Sequence, residues 1–133
     1  MTDTELVTEY YAAFNAGDWD AMCAFLAEDV AHDLNQAARE TGRATFRAFL
    51  DRMNRSYREQ LRDIVVMAGP NGRVAAEYVV EGTYLVTDEG LPTAANQRYT
   101  LLGVAFFEIA GGKISRVTNY YNLADWLKQV GAA

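Results

Sequence analysis

A chain of 133 residues, half of them hydrophobic, can bury a sizeable core without metal or disulfide support, which excludes disorder and predicts one domain over residues 1–133. A net charge of −6 argues against nucleic acid as a partner, because phosphate binding needs a basic surface. The lone Cys23 cannot close an internal disulfide, no apolar run is long enough to span a membrane, and the acidic start MTDTELVTEY is unlike a secretion signal; a cytoplasmic chain with no membrane partner is expected.

Thr2-Asp3-Thr4-Glu5 reads as a capping box, followed by Leu6, Val7, Tyr10, Tyr11 and Phe14 at helical spacing. Gly17 stops that helix and Asp18 caps a second one, predicted to run to Glu28 with Trp19, Met22, Cys23 and Leu26 as its buried stripe. Val30 to Asn35 is too short for a helix and reads as a strand. Alternation puts Val30, His32 and Leu34 on one face, and Ala31, Asp33 and Asn35 on the other. After the polar connection QAARETG, a third helix is predicted from Arg43 to Arg58, with Phe46, Phe49, Leu50, Met53 and Tyr57 on its apolar side. The arginines between Arg39 and Arg62 are interleaved with Glu40, Asp51, Glu59 and Asp63, the pattern of a solvated helix face.

From Leu61 the period changes to that of strands. Leu61–Ala68, Arg73–Val86, Arg98–Ile109 and Lys113–Tyr121 are predicted strands, with tight turns at Gly69-Pro70-Asn71-Gly72 and at Ala110-Gly111-Gly112. Asn122 caps a terminal helix, LADWLKQV, whose Leu123, Trp126, Leu127 and Val130 pack back on the sheet. Sequential hairpins make the sheet largely antiparallel, so the fold class is α+β: a curved sheet wrapped around helices into a cone with an apolar interior. Such a concavity is the default site for a hydrophobic small molecule.

The element order and local motifs resemble the nuclear transport factor two-like superfamily, the cone-shaped α+β barrels. YYAAFNAGDWDAMCAFLAEDV is similar to the opening of the ketosteroid isomerase and SnoaL-like polyketide cyclase branches, and GGKISRVTNYYNLADWL to the close of SnoaL-like members. VAHDLNQ, REQLRDIVVMA, TYLVTDEGLP and AFFEIAGGKI resemble the ketosteroid isomerase-related subgroup. The resemblance covers nearly the whole chain and implies a homodimer. It places Tyr10 where steroid isomerases carry the phenol that hydrogen-bonds the enolate oxygen. Their base aspartate falls on Leu34, one residue from Asp33, and their second oxyanion donor falls near Ala105. Ala37 and Ala38, where the subgroup pattern has glycines, and Leu102-Gly103-Val104, where it has a Pro-Gly-Gly run, also depart from that pattern. One matched group of three does not make a steroid isomerase.

The chemistry-bearing candidates follow. His32 shares a face with Leu34 and titrates near neutral pH, so it is either a base or a histidine packed in the core. Asp33 is the alternative base, or a structural hydrogen-bonding carboxylate. Tyr10 can polarise a carbonyl. Asn119, at the place where an acid often serves in SnoaL-like members, can bind but not abstract a proton. Tyr99 and Tyr121 are further polar candidates, and Leu34, Trp19, Phe49, Met53, Leu102 and Val104 are candidate apolar contacts. No metal is expected, since one histidine and one cysteine give no ligand set, and no cofactor is implied. The expected function is acid–base proton abstraction next to a carbonyl by an isomerase or cyclase. The alternative is a non-catalytic module of the same fold for ligand binding or dimerisation.

Overall fold

The computed structural model describes residues 1–131. Helices α1 (Asp3–Ala16) and α2 (Trp19–Ala24) lead into strand β1 (Leu26–Leu34), the short strand β2 (Glu40–Thr41) and helix α3 (Arg43–Ser56). Four long strands follow, β3 (Tyr57–Ala68), β4 (Arg73–Tyr84), β5 (Gln97–Ala110) and β6 (Lys113–Tyr121), and helix α4 (Leu123–Val130) closes the chain. The strands form one curved sheet in the order β2-β1-β6-β5-β4-β3. All neighbours pair antiparallel except β1 with β6, whose parallel pairing brings the early strand beside the last one.

Local chemistry sets the element ends. The Thr2 hydroxyl accepts from Glu5 N at 3.1 Å, Asp18 accepts from Ala21 N at 3.1 Å, and Asn122 accepts from Asp125 N at 3.0 Å. Each satisfies a helix amide that has no partner within its own helix. Gly17, at φ 69°, ends α1 in a left-handed turn. Asn15 then reaches the free edge of β3, exchanging two 2.9 Å hydrogen bonds with the Leu61 backbone. Its amide stands in for a neighbouring strand.

Two boundaries differ from the sequence reading. The second helix stops at Ala24 rather than Glu28, because Ile114 N donates to Phe25 O at 2.9 Å and Leu26 pairs with Ile114. Leu26 is therefore a strand residue, though buried as expected. The third helix stops at Ser56 rather than Arg58, because Tyr57, Arg58 and Glu59 pair with Tyr84, Thr83 and Gly82. In both places a partner strand distant in sequence takes residues that helical periodicity had claimed.

Register shifts interrupt the pairing between Leu26 and Ala31, between Arg62 and Val65, and between Glu108 and Ile109. Such bulges bend strands and curl a sheet. Helix α1 packs against β3, α3 against β1, and α4 against β5, so the helices fill the concave side. The deepest row across the sheet joins Val74, Phe107, Val117 and His32, all buried. The next row outward, Ala76, Ala105, Asn119 and Leu34, begins to open.

Candidate active site

Between α1, α3 and the inner sheet face lies a cavity of about 360 Å³. Phe14, Met22, Phe46, Leu50, Val80 and Leu101 make much of its wall apolar. Polar groups enter it from several elements: Tyr10 and Tyr11 from α1, Asn54 from α3, Glu59 from β3, Tyr78 from β4, and Asn119 and Tyr121 from β6. Asp88, on the connection between β4 and β5, lines the same end as Tyr57 and accepts a 2.9 Å hydrogen bond from its hydroxyl.

Glu59 is the acid that the inner sheet face presents to this cavity. Tyr57, Glu59 and Leu61 are the inward positions of β3, alternating with the outward Arg58, Gln60 and Arg62. The Glu59 carboxyl accepts a 2.6 Å hydrogen bond from Tyr99 Oη through Oε2. Burial pushes this carboxyl above the usual carboxylate range, and the Tyr99 hydrogen bond pulls it part of the way back. Around it the phenols are held neutral. Burial is the main cause in each case, raising Tyr78 to about 12 and raising Tyr57, Tyr99 and Tyr121 as well. The charge of Glu59 adds to the effect on Tyr78, Tyr99 and Tyr121. A carboxyl moved toward neutrality in an apolar cavity is better suited to taking and returning protons than an ordinary surface carboxylate. The surrounding phenols remain donors. Two further donors in the wall, Tyr11 Oη and Asn54 Nδ2, are buried without a well-formed hydrogen bond, Tyr11 having only the neighbouring Tyr78 phenol beside it. A ligand oxygen would satisfy them.

The residues expected from the sequence divide into two groups. Tyr10, Leu34, Phe49, Met53, Asn119 and Tyr121 line the cavity. His32, Asp33, Trp19, Tyr99, Leu102 and Val104 do not. His32 faces inward as its parity requires, but it lies one inward position deeper than Leu34, with Phe46 and Phe49 at ring distances of 4.8 and 4.6 Å. Neither of its ring nitrogens has a hydrogen-bond partner, and burial holds it neutral by lowering its pKa against the opposing charges of Glu40 and Asp33.

Asp33 faces the other way. Arg39 grips both of its oxygens at 2.8 and 3.0 Å, and Thr118 donates to it at 2.7 Å. These contacts pull its carboxyl down to about 2, which makes it a weak proton acceptor and a structural anchor between β1 and β6. Trp19 packs edge-on against Phe14 behind the wall. Leu102 and Val104 are at outward positions of β5, opposite in parity to Leu101 and Gly103, and Leu102 is 77% exposed. Tyr99 is buried behind the cavity surface and reaches it only through Glu59.

Glu59 was missed because the sequence reading carried the third helix through Arg58 and took the acid as part of a solvated charge run. Its signal was available in YREQLRD, where an acid occupies the inward phase of an alternating strand between Tyr57 and Leu61.

With this geometry in place, comparison with known proteins identifies the family. The sequence profile of the SnoaL-like domain matches residues 7–117. The chain belongs to the SnoaL-like family. A candidate polyketide cyclase from Pseudomonas putida is 61% identical, with 98% of this chain and 99% of that one covered and a TM-score of 0.96. Another, from Xanthomonas campestris, is 67% identical over 97% of this chain and 96% of that one, with a TM-score of 0.93. An NTF2-like protein from Burkholderia xenovorans shares the fold at 17% identity, with 97% and 95% of the two chains covered and a TM-score of 0.76. The SnoaL-like chain thus has the cone-shaped α+β fold of NTF2-like proteins. No curated protein matches it. Among the described residues no helix is long and apolar enough to cross a membrane.

Proposed function

We propose that this SnoaL-like protein is an acid–base enzyme of the cyclase or isomerase type, acting on a hydrophobic, carbonyl-bearing small molecule in the cone. The observation that carries the reading is Glu59, a carboxyl of raised pKa held by Tyr99 in a largely apolar cavity. The two relatives called candidate polyketide cyclases, above 60% identical, support the reaction class.

In this mechanism the Glu59 carboxylate takes a proton from the carbon beside the carbonyl. The electron pair of the broken C–H bond moves onto the carbonyl oxygen, where a phenol of Tyr10 or Tyr11, with the Asn54 amide, donates hydrogen bonds to the developing charge. Where the substrate carries a double bond conjugated with that enolate, return of the proton to the far carbon of the dienolate shifts the double bond and completes an isomerisation. Attack of the enolate carbon on a second carbonyl of the same molecule completes a ring closure, with Glu59 returning the proton to the new alkoxide. Asn119 and Tyr121 orient the substrate. His32 and Asp33, the two bases suggested by the sequence, have no direct role: one supports the cavity wall from behind and the other ties β1 to β6.

The test is α-proton exchange into D2O, followed by NMR for a panel of hydrophobic cyclic ketones and β-dicarbonyl compounds. The wild type exchanges at least one ligand, and Glu59→Gln slows that exchange by about 10²–10⁴-fold, the usual contribution of a positioned acid–base group, with its circular dichroism unchanged. Ligands that bind the wild type without any exchange would identify a binding module and sink the enzymatic reading.

Self-association belongs to the same reading. Leu102, Phe106 and Tyr120 expose apolar surface on the outer sheet face, with Phe106 and Tyr120 edge to face at 6.1 Å. A second copy of the chain is the proposed cover for it.

A further inference from the structure

The inner sheet face carries two glycines at positions where the backbone alone does not ask for one. Gly82 and Gly103 lie inside β4 and β5, and neither is among the glycines with positive φ. Glycine weakens a strand interior, so its presence there signals the close approach of another group. At both positions that group is a tyrosine from the paired strand. Gly82 is paired with Tyr99, and Gly103 with Tyr78. A Cβ built on Gly82 would lie 2.5 Å from Tyr99 Oη and closer still to ring atoms Cζ and Cε2. A Cβ on Gly103 would lie 2.8 Å from Tyr78 Cζ and closer to Cε1. Two phenols therefore lie flat across the sheet in opposite directions, each over the glycine of the other's strand.

We infer that Gly82 is a positioning residue: its missing side chain is the seat that lets Tyr99 cross β4 and hold the Glu59 carboxyl. Glu59, Gly82 and Tyr99 form one row of the sheet, because Glu59 pairs with Gly82 on one side and Tyr99 pairs with Gly82 on the other. Tyr99 can reach Glu59 from two strands away only by passing over the intervening position. Any side chain there stands in the path of the phenol. The consequence is chemical as well as steric. The Tyr99 hydroxyl donates to Glu59, which favours the carboxylate, while burial favours the acid. Gly82 thus decides, through Tyr99, where Glu59 titrates.

Other groups facing Glu59 leave this control with Tyr99. Tyr78 from β4 and Tyr121 from β6 are near enough for their pKa values to respond to its charge, and burial holds both neutral. Tyr57 and Asp88 close the same end of the cavity but are engaged with one another. Tyr10 and Tyr11 enter from α1, and both are held neutral by burial. The one cation in the cavity lining among the described residues is Arg52, whose guanidinium lies 5.5 Å from the centre of the Phe49 ring. Tyr99 alone of these groups hydrogen-bonds the carboxyl.

The inference builds on the assignment of Glu59 as the proton-transfer group, but its test needs no substrate. The protein is labelled with 13C at glutamate Cδ, the Glu59 resonance is assigned by its loss in Glu59→Gln, and its titration is followed by NMR. Tyr99→Phe raises the Glu59 midpoint, because a donor to the carboxylate is gone. Gly82→Ala raises it by the same amount. In the double variant the midpoint equals that of Tyr99→Phe alone, since the alanine has no hydrogen bond left to break. A Gly82→Ala midpoint that stays at the wild-type value while Tyr99→Phe moves it overturns the inference, as does a midpoint that neither variant moves. If Gly82→Ala does not fold, Tyr99→Leu added to it restores folding by removing the clashing ring; failure of that rescue also overturns the inference. A shifted titration with unimpaired α-proton exchange in Glu59→Gln would leave the seat standing and reject only the catalytic reading.

Discussion

His32 and Glu59, an imidazole and a carboxyl both turned toward the interior of the cone, show how environment rather than residue type assigns roles. His32 would be the obvious base near neutral pH, yet it is packed against Phe46 and Phe49 with both nitrogens unpartnered. Its pKa is lowered in the folded state, so the unfolded chain binds the proton more readily. Stability is then intact above the ordinary imidazole value of 6.5 and falls as pH drops below it toward the folded value. His32→Leu removes this component, and chemical denaturation at pH 7 and pH 5 should show a smaller acid loss than in the wild type. An equal loss in both proteins would mean that His32 is not the group responsible. Glu59 has the opposite sign. Its raised folded pKa makes the fold prefer the protonated acid, so rising pH above the ordinary carboxylate value of 4.5 costs stability.

At the scale of elements, the helix starts capped by Thr2, Asp18 and Asn122 follow a local rule, while other boundaries answer to strand pairing. The two corrected boundaries, Ala24 and Ser56, are both places where pairing with a distant strand overrode helical spacing. Helix α4 closes the cavity through one residue. Trp126 is buried and packs edge-on against Tyr57, Tyr84 and Tyr99 at ring distances of 5.9, 5.1 and 6.0 Å, and it also lines the cavity. Replacing it with alanine should cost about 3–5 kcal/mol, as for other buried aromatics, and should loosen the stack that holds Tyr99. Urea denaturation measures the first effect. A cost under about 0.5 kcal/mol, the range of a surface change, would mean that the terminal helix is not part of the core.

For the whole molecule, the division between inner and outer sheet faces separates the two proposed functions. The inner face carries the row of Glu59, Gly82 and Tyr99; the outer face carries Leu102, Phe106 and Tyr120. If the outer face pairs two copies, sedimentation velocity gives twice the 14.8 kDa chain mass, and Leu102→Glu shifts the species to a monomer with its circular dichroism retained. A wild-type monomer at tens of micromolar would reject the pairing. The Leu102→Glu change itself stays off the cavity, because alternation along β5 keeps Leu102 and Leu101 on opposite sides, whereas Tyr120 also borders the cavity.

The sequence by itself determined the α+β class, the caps at Thr2, Asp18 and Asn122, the turns at Gly72 and Gly111-Gly112, and the shared parity of His32 and Leu34. These follow from contacts within a few residues or from side-chain period alone, so no tertiary information is needed to read them. Of the twelve candidate site residues it named, six line the cavity: Tyr10, Leu34, Phe49, Met53, Asn119 and Tyr121. Only the tertiary structure decided which inward residue meets open space and which meets packing. His32 and Leu34 have the same parity, but Phe46 and Phe49 close over the first and leave the second exposed to the cavity. It also decided that Tyr57, Arg58 and Glu59 are strand residues, because their partners in β4 lie more than twenty positions away. Once that pairing turned Glu59 inward beside Gly82, an acid that looked like part of a solvated surface became the one held by Tyr99.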